Sequence, residues 1–376
     1  MIPRIVFNQV LEKLFKGKAI ILMGARQVGK TTLLRMIESQ AGYKSLWLDC
    51  DEIDVQEKLT NVTSAQLKNL IGTAEIVFID EAQRVENIGI TLKLITDNIK
   101  NVQLIVSGSS SFELSDKINE PLTGRKFEYK VFPISSAEMK LHTSLLEESR
   151  LLETRMIYGF YPEVINRKGE EQIILKEILN SYLYKDVLMF RNLRKPHILP
   201  KLLQAIALQI GSEVSYTELA RLIEVDKETI ERYIDILEKM FVVFRLGSLS
   251  RNLRTEINKS RKIYFYDLGL RNALISNFNP LSLRSDVGAL WENFLIAERM
   301  KMISNLPEIR NLYFWRTQLQ QEIDYIEEYD GNLYAYEFKW KEGKSAKLSK
   351  SFSQVYPNHS FKLVNPSDYW DFIGID

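Results

Sequence analysis

The stretch GARQVGKTT, Gly24 to Thr32, satisfies the pattern G-x-x-x-x-G-K-[ST] directly after the apolar run Ala19 to Met23. The pattern restricts the fold because it works only where a buried strand delivers the loop and a helix leaves it. Glycines at 24 and 29 let successive backbone N–H groups turn inward, and a helix starting at Lys30 directs its positive end into the same concavity. The chain then repeats the alternation: KSLWLD, a helix near 64–71, EIVFID, a helix near 87–99, and VQLIVSG. Short apolar strands separated by amphipathic helices predict βαβ units and a parallel sheet covered on both faces. The expected fold class is α/β, with a P-loop parallel-sheet domain over residues 1–145.

A concavity of inward N–H groups suits phosphate, so Gly24, Ala25, Arg26, Gln27, Val28, Gly29, Lys30, Thr31 and Thr32 form the expected cradle for a nucleotide's phosphates. Lys30 would contact β- and γ-phosphate oxygens, and the Thr31 hydroxyl would bind Mg²⁺. About fifty residues on, the apolar run IVFID ends in Asp80-Glu81. Asp80 is the expected second Mg²⁺ ligand, through water, and Glu81 the group that orients and deprotonates the attacking water. A carboxylate pair at the end of a buried strand is costly without a charged partner, which a nucleotide's metal would be. Ser107 and Ser109 follow the next strand, either as polar groups near the γ-phosphate or as turn formers. Arg125 is a candidate γ-phosphate-sensing arginine, in its own chain or a neighbour, against the reading of a surface ion pair.

At 376 residues the chain is longer than a single core usually grows, which predicts two or three domains. Fifty Lys and Arg balance forty-nine Asp and Glu, so a polyanionic partner would need a local basic patch. The single cysteine, Cys50, excludes an internal disulfide and a zinc site of several thiolates. Only His142, His197 and His359 remain for histidine metal chemistry. No signal pattern opens the sequence and no run approaches the ~20 apolar residues of a membrane span. The expectation is a cytoplasmic protein with no membrane partner, with oligomerisation left open.

Residues 145–200 read as helical, interrupted by a turn at GFYPEV. Beyond them a helix at 216–223, a tight turn and a longer helix from Lys227 precede an apolar strand, the order of a winged helix over 198–265. The exposed face of the longer helix carries Glu228, Glu231, Asp235 and Glu238 against Lys227, Arg232 and Lys239, a poor surface for duplex phosphates. Arg245, Arg251, Arg254, Lys259, Arg261 and Lys262, opposed by Glu256, make 245–262 the better nucleic-acid candidate, against the reading of a solvated loop. Downstream, a helix from Asp286 to about Ser304, several strands, a helix and a last strand at 360–364 predict a small α+β domain. Its segment EIDYIEEYDGNLYAYEFKW reads as two strands around a Gly331-Asn332 turn.

In order, GARQVGKTTLL, IVFIDEAQRV, LIVSGSSSFEL, LTGRKFEYKVFPIS and GFYPEV resemble the AAA-superfamily predicted ATPases of bacteria and archaea. The resemblance extends through YFYDLGLRNAL, GALWENFLIAE, YFWRT and EIDYIEE…YEFKW. It implies an ATPase domain over 1–145, a helical lid or linker over 146–197, the winged helix, and a restriction-endonuclease-like domain over 266–376. It also implies ATP binding and hydrolysis by Lys30, Thr31, Asp80 and Glu81. In nucleases of the restriction type, Glu292 on the helix, Asp324 on one strand and Glu337 on the next would hold metal, with Lys339 catalytic. The plainer reading makes these ordinary cross-strand charges. Two functions follow as alternatives: an ATP-driven enzyme acting on nucleic acid, or an ATP-gated signalling switch with a non-catalytic carboxyl-terminal platform.

Overall fold

In a computed structural model, the apolar runs that precede and follow the glycine-rich loop become parallel strands. The structure describes all residues except 109–117, 119, 181–196, 251–260, 318, 342, 344–346 and 376. The chain divides into two units: Met1–Ile134 with Lys239–Phe241, and Ser135–Glu238 with Val242–Asp376.

In the first unit, β1 (Ala19–Gly24), β2 (Ser45–Asp49), β3 (Ile76–Asp80), β4 (Gln103–Gly108) and β5 (Lys126–Val131) form a sheet of order β2-β3-β4-β1-β5. Every neighbouring pair is parallel. The helices Lys30–Ala41, Ile53–Leu59, Ser64–Ile71 and Ile88–Asn98 lie between these strands in sequence. Ser64–Ile71 starts where expected because Thr63 and Gln66 form a capping box, each side chain accepting the other's backbone N–H. Ile20, Ile21 and Leu22 are fully buried, and each such side chain contributes about 1.5–3 kcal/mol. The parallel register places Leu22 beside Ser107 and Asp49 beside Asp80, so the ends of β1, β2, β3 and β4 share one edge. In open α/β sheets that edge is where ligands bind.

In the second unit, β6 (Glu213–Val214), β7 (Val243–Ser248), β8 (Arg261–Phe265), β9 (Asn311–Arg316), β10 (Glu322–Tyr329), β11 (Asn332–Phe338) and β12 (His359–Val364) form one sheet, β12-β11-β10-β9-β7-β8-β6. β7 pairs antiparallel with β8 and parallel with β9. Strands on either side of residue 265 are therefore members of a single sheet. The helices Tyr216–Ile223 and Lys227–Lys239 appear where the sequence placed them, Asp226 accepting the Thr229 backbone N–H at 2.6 Å at the second helix's start. The β10–β11 turn falls one residue earlier than expected, at Asp330-Gly331, with Tyr329 paired to Asn332. Both turn residues have positive φ, 50° and 73°, which Asp-Gly accommodates better than Gly-Asn followed by a strand. Among the described residues no helix is long and apolar enough to cross a membrane.

Candidate functional site

At the β1 edge, Gly24 is required by close packing: a Cβ there would lie 2.0 Å from the Val131 carbonyl oxygen of β5. Gly29 has φ 92°, the left-handed conformation that turns the loop into the helix Lys30–Ala41. The buried Lys30 ammonium donates to the carbonyls of Gly24 (3.1 Å) and Ala25 (2.8 Å), folding back over the loop. Ala25 and Val28 are buried and anchor the loop, whereas Gln27, Thr31 and Thr32 are exposed and Arg26 is half-buried.

Thr31 Oγ1 donates to Asp80 Oδ2 at 2.7 Å, which brings an oxygen of the loop and one at the end of β3 side by side. This donor set fits a hard divalent cation such as Mg²⁺. Ser107, fully buried at the end of β4, donates to the other Asp80 oxygen and lies 3.4 Å from the Glu81 N–H. Its hydroxyl is thereby engaged with the acids; Ser109 lies outside the described residues. Glu81 itself adopts φ 51°, ψ 39°, an uncommon conformation for a non-glycine residue and one that clusters at functional sites. The buried Gln83 amide donates to Glu81 Oε2. Sequence reasoning passed over Gln83, although a polar side chain two residues after the acid pair was a visible signal. Burial, with Asp49 and Asp80 adding, pushes the Cys50 thiol up to about 12.

Arg125 is not brought to this site. Its carbonyl accepts the Ala19 N–H at 2.9 Å, at the start of β1, so the length of that strand separates it from Gly24. At about 3.3 Å per residue the gap exceeds about 15 Å, which excludes contact with a phosphate on the loop of its own chain. The arginine instead pairs with Asp97, Nε to Oδ1, at 2.7 Å.

In the second unit Asp324 sits in a bulge: β10 pairs Ile323 with Trp315 and Ile326 with Tyr313, leaving two residues opposite Phe314. The bulge turns the Asp324 carboxylate toward β11, where Oδ2 accepts the Phe338 N–H at 2.8 Å. Burial first, then the nearby Glu292 and Glu337 carboxylates, push Asp324 up to about 8. Glu337 is occupied by Lys339, 2.6 Å away; burial acts to lower the Lys339 ammonium, but the Glu337 contact with the nearby Asp324 and Glu292 outweighs it and holds the group above its ordinary range. Glu292 accepts from Lys262 at 2.9 Å and from the Tyr264 hydroxyl, and Lys262 also reaches Glu322 at 2.6 Å. Burial raises the Glu292 carboxyl although Lys262 and Tyr264 act in the other direction.

The expected metal set of Glu292, Asp324 and Glu337 thus meets a competitor. Among the described residues no three His, Cys, Asp or Glu side chains are disposed to hold a metal ion. Lys262 was read in sequence as part of a basic nucleic-acid surface, and that expectation is corrected: its side chain is 1% exposed. Arg245 is likewise engaged by Asp235 at 2.7 Å and by Glu238, and Arg261 lies 3.8 Å from Glu231. Arg251, Arg254 and Lys259 lie outside the described residues.

Residues 16–140 match the family model described as an AAA domain. The amino-terminal segment carries an AAA-type domain. Residues 149–281 and 287–369 match two domains of unknown function, DUF8612 and DUF4143. An uncharacterized protein of Mycobacterium tuberculosis is 27% identical over 330 residues, 87% of this chain and 71% of its own. An uncharacterized protein of Methanocaldococcus jannaschii is 25% identical over 350 residues, covering 85% and 75%. Among solved structures, a Walker-type ATPase of Pyrococcus abyssi aligns with TM-score 0.51 at 16% identity, over 73% of this chain and 96% of that one. That likeness is one of fold.

Proposed function

We propose that the chain binds Mg·ATP on the loop from Gly24 to Thr32 and hydrolyses it. The observation that carries this reading is the Thr31–Asp80 pair, 2.7 Å apart beside Lys30 at the carboxyl edge of a parallel sheet. The loop N–H groups and the Lys30 ammonium, moved from its carbonyl partners, bind and orient the phosphates. Thr31, directly, and Asp80, through water, would hold the metal, which when bound would supply charge neutralisation at the phosphate oxygens. Glu81 takes the proton of the attacking water at its carboxylate, while Ser107 fixes the Asp80 rotamer. Arg125, remote from this loop and paired with Asp97, is read as an ion pair at the start of β5, with a role toward a neighbouring copy as the other reading. Lys30→Ala should lower ATP turnover at least about 100-fold in a phosphate-release assay; turnover within about twofold of the parent would remove the assignment.

The carboxyl-terminal reading follows from topology and charge. Helices Tyr216–Ile223 and Lys227–Lys239 with the antiparallel β7–β8 pair support a winged helix over 198–265, and the helices between Leu145 and Ile178 support a helical linker over 146–197, of which 181–196 lie outside the described residues. Helix Val287–Ile303, the β9–β10–β11 meander, helix Lys350–Val355 and parallel β12 support a nuclease-like layer over 266–376. Between acting on nucleic acid and serving as an ATP-gated platform for a protein partner, the engagement of Arg245, Arg261 and Lys262 by acids favours the platform.

A further inference from the structure

We infer that Lys262 is the resident cation of the carboxylate cluster in the second unit, standing where the nuclease-like reading would put a divalent metal, and that this cluster is a scaffold that does not cleave. The inference deepens the platform reading and is independent of ATP hydrolysis. Lys262 is 1% exposed, and its Nζ lies 2.9 Å from Glu292 Oε1 and 2.6 Å from Glu322 Oε1. Tyr264 donates to the same Glu292 oxygen, so both acceptor positions of Oε1 are taken. A hard divalent ion needs such an oxygen at about 2.0–2.6 Å, which would set it beside an ammonium of like sign.

The lysine cannot readily leave. Its backbone is held on both sides of β8, opposite Leu246 of β7 and Glu213 of β6. Its ammonium also lies 5.4 Å from the centre of the Phe314 ring, a second favourable contact for a cation. The remaining acids have partners from the chain itself: Glu337 has Lys339, Asp324 has the Phe338 N–H, and Glu322 has Arg316 at 3.9 Å besides Lys262. A buried ion set completed in this way ties β8, β10 and the helix Val287–Ile303 together. Removing its one buried cation would leave Glu292 without a cation and Glu322 with Arg316 alone, and create a vacancy that metal could fill.

The test counts Mn²⁺ bound to the nucleotide-free full chain by electron paramagnetic resonance. All samples carry Thr31→Ala and Asp80→Asn so that the amino-terminal acids contribute nothing. With Lys262 intact, adding Asp324→Asn or Glu292→Gln should leave the number of bound ions unchanged. Lys262→Gln should add one bound ion, lost again on combination with Asp324→Asn. A drop in bound Mn²⁺ on Asp324→Asn or Glu292→Gln with Lys262 present would overturn the inference, as would a folded Lys262→Gln chain that gains none. Should Lys262→Gln fail to fold, the comparison with Lys262 intact decides alone. Loss of the ATPase reading, seen in phosphate release, would leave all of these outcomes unaffected.

Discussion

Gln83 donates to Glu81 from a buried position, and Glu81 is held in a left-handed backbone conformation at the start of the short helix Ala82–Arg84. The amide leaves one carboxylate oxygen for water and fixes the direction of the other. A hydrogen bond to a charged group is worth about 1.5–3 kcal/mol, so Gln83→Ala should lower kcat about 10- to 100-fold. KM for ATP should stay close to that of the parent, and Gln83→Asn should recover part of the loss; steady-state kinetics read both. A residue with only a packing role would move stability without this split. Lys30, Thr31, Asp80 and Glu81 were legible in sequence because their roles follow from local spacing on a strand-loop-helix unit. Gln83 and Lys262 were not, because what they do depends on rotamer and on which strand lies beside which. Lys262 is the sharper case: in a linear reading it belongs to a run of basic residues, and only its place inside the sheet shows that its partners are carboxylates.

The helix Val287–Ile303 begins beside Asp286, which Arg271 approaches to 2.6 Å and Arg284 to 2.9 Å. Burial acts to raise the Asp286 carboxyl, but the two guanidiniums outweigh it and bring it down from its ordinary 3.8 to about 2. A depressed carboxylate contributes stability that is fully present above its ordinary value and lost as pH falls through the folded one. Urea midpoints should therefore fall between about pH 4 and about pH 2, and Asp286→Asn should flatten that part of the profile while lowering the midpoint at pH 7. Element existence was legible at this scale: the helices Ser64–Ile71 and Tyr216–Ile223 follow apolar spacing and side-chain caps at Thr63 and Ser215, while Ile88–Asn98 and Val287–Ile303 form where the sequence placed them without a side-chain cap. The bulge at Asp324 was not, since it arises from a register slip between β10 and β9 that periodicity within one strand does not encode. The β7–β9 pairing was hidden for a similar reason, because residues 247 and 313 meet across a long separation in sequence.

At the scale of the whole molecule, a parallel sheet of five strands presents the acid pair and glycine-rich loop, while a sheet of seven strands holds the buried lysine cluster. On the function proposed above, nucleotide chemistry belongs to the first unit and a non-cleaving platform to the second. Hydrolysis of ATP by the Thr31–Asp80–Glu81 set is tested most directly by comparing the parent chain with Glu81→Gln in Mg²⁺, following bound nucleotide and released phosphate together. Both proteins should bind ATP, and Glu81→Gln should release phosphate at least about 100-fold more slowly. Equal rates of release in the two proteins, or no binding of ATP by either, would contradict hydrolysis by that set.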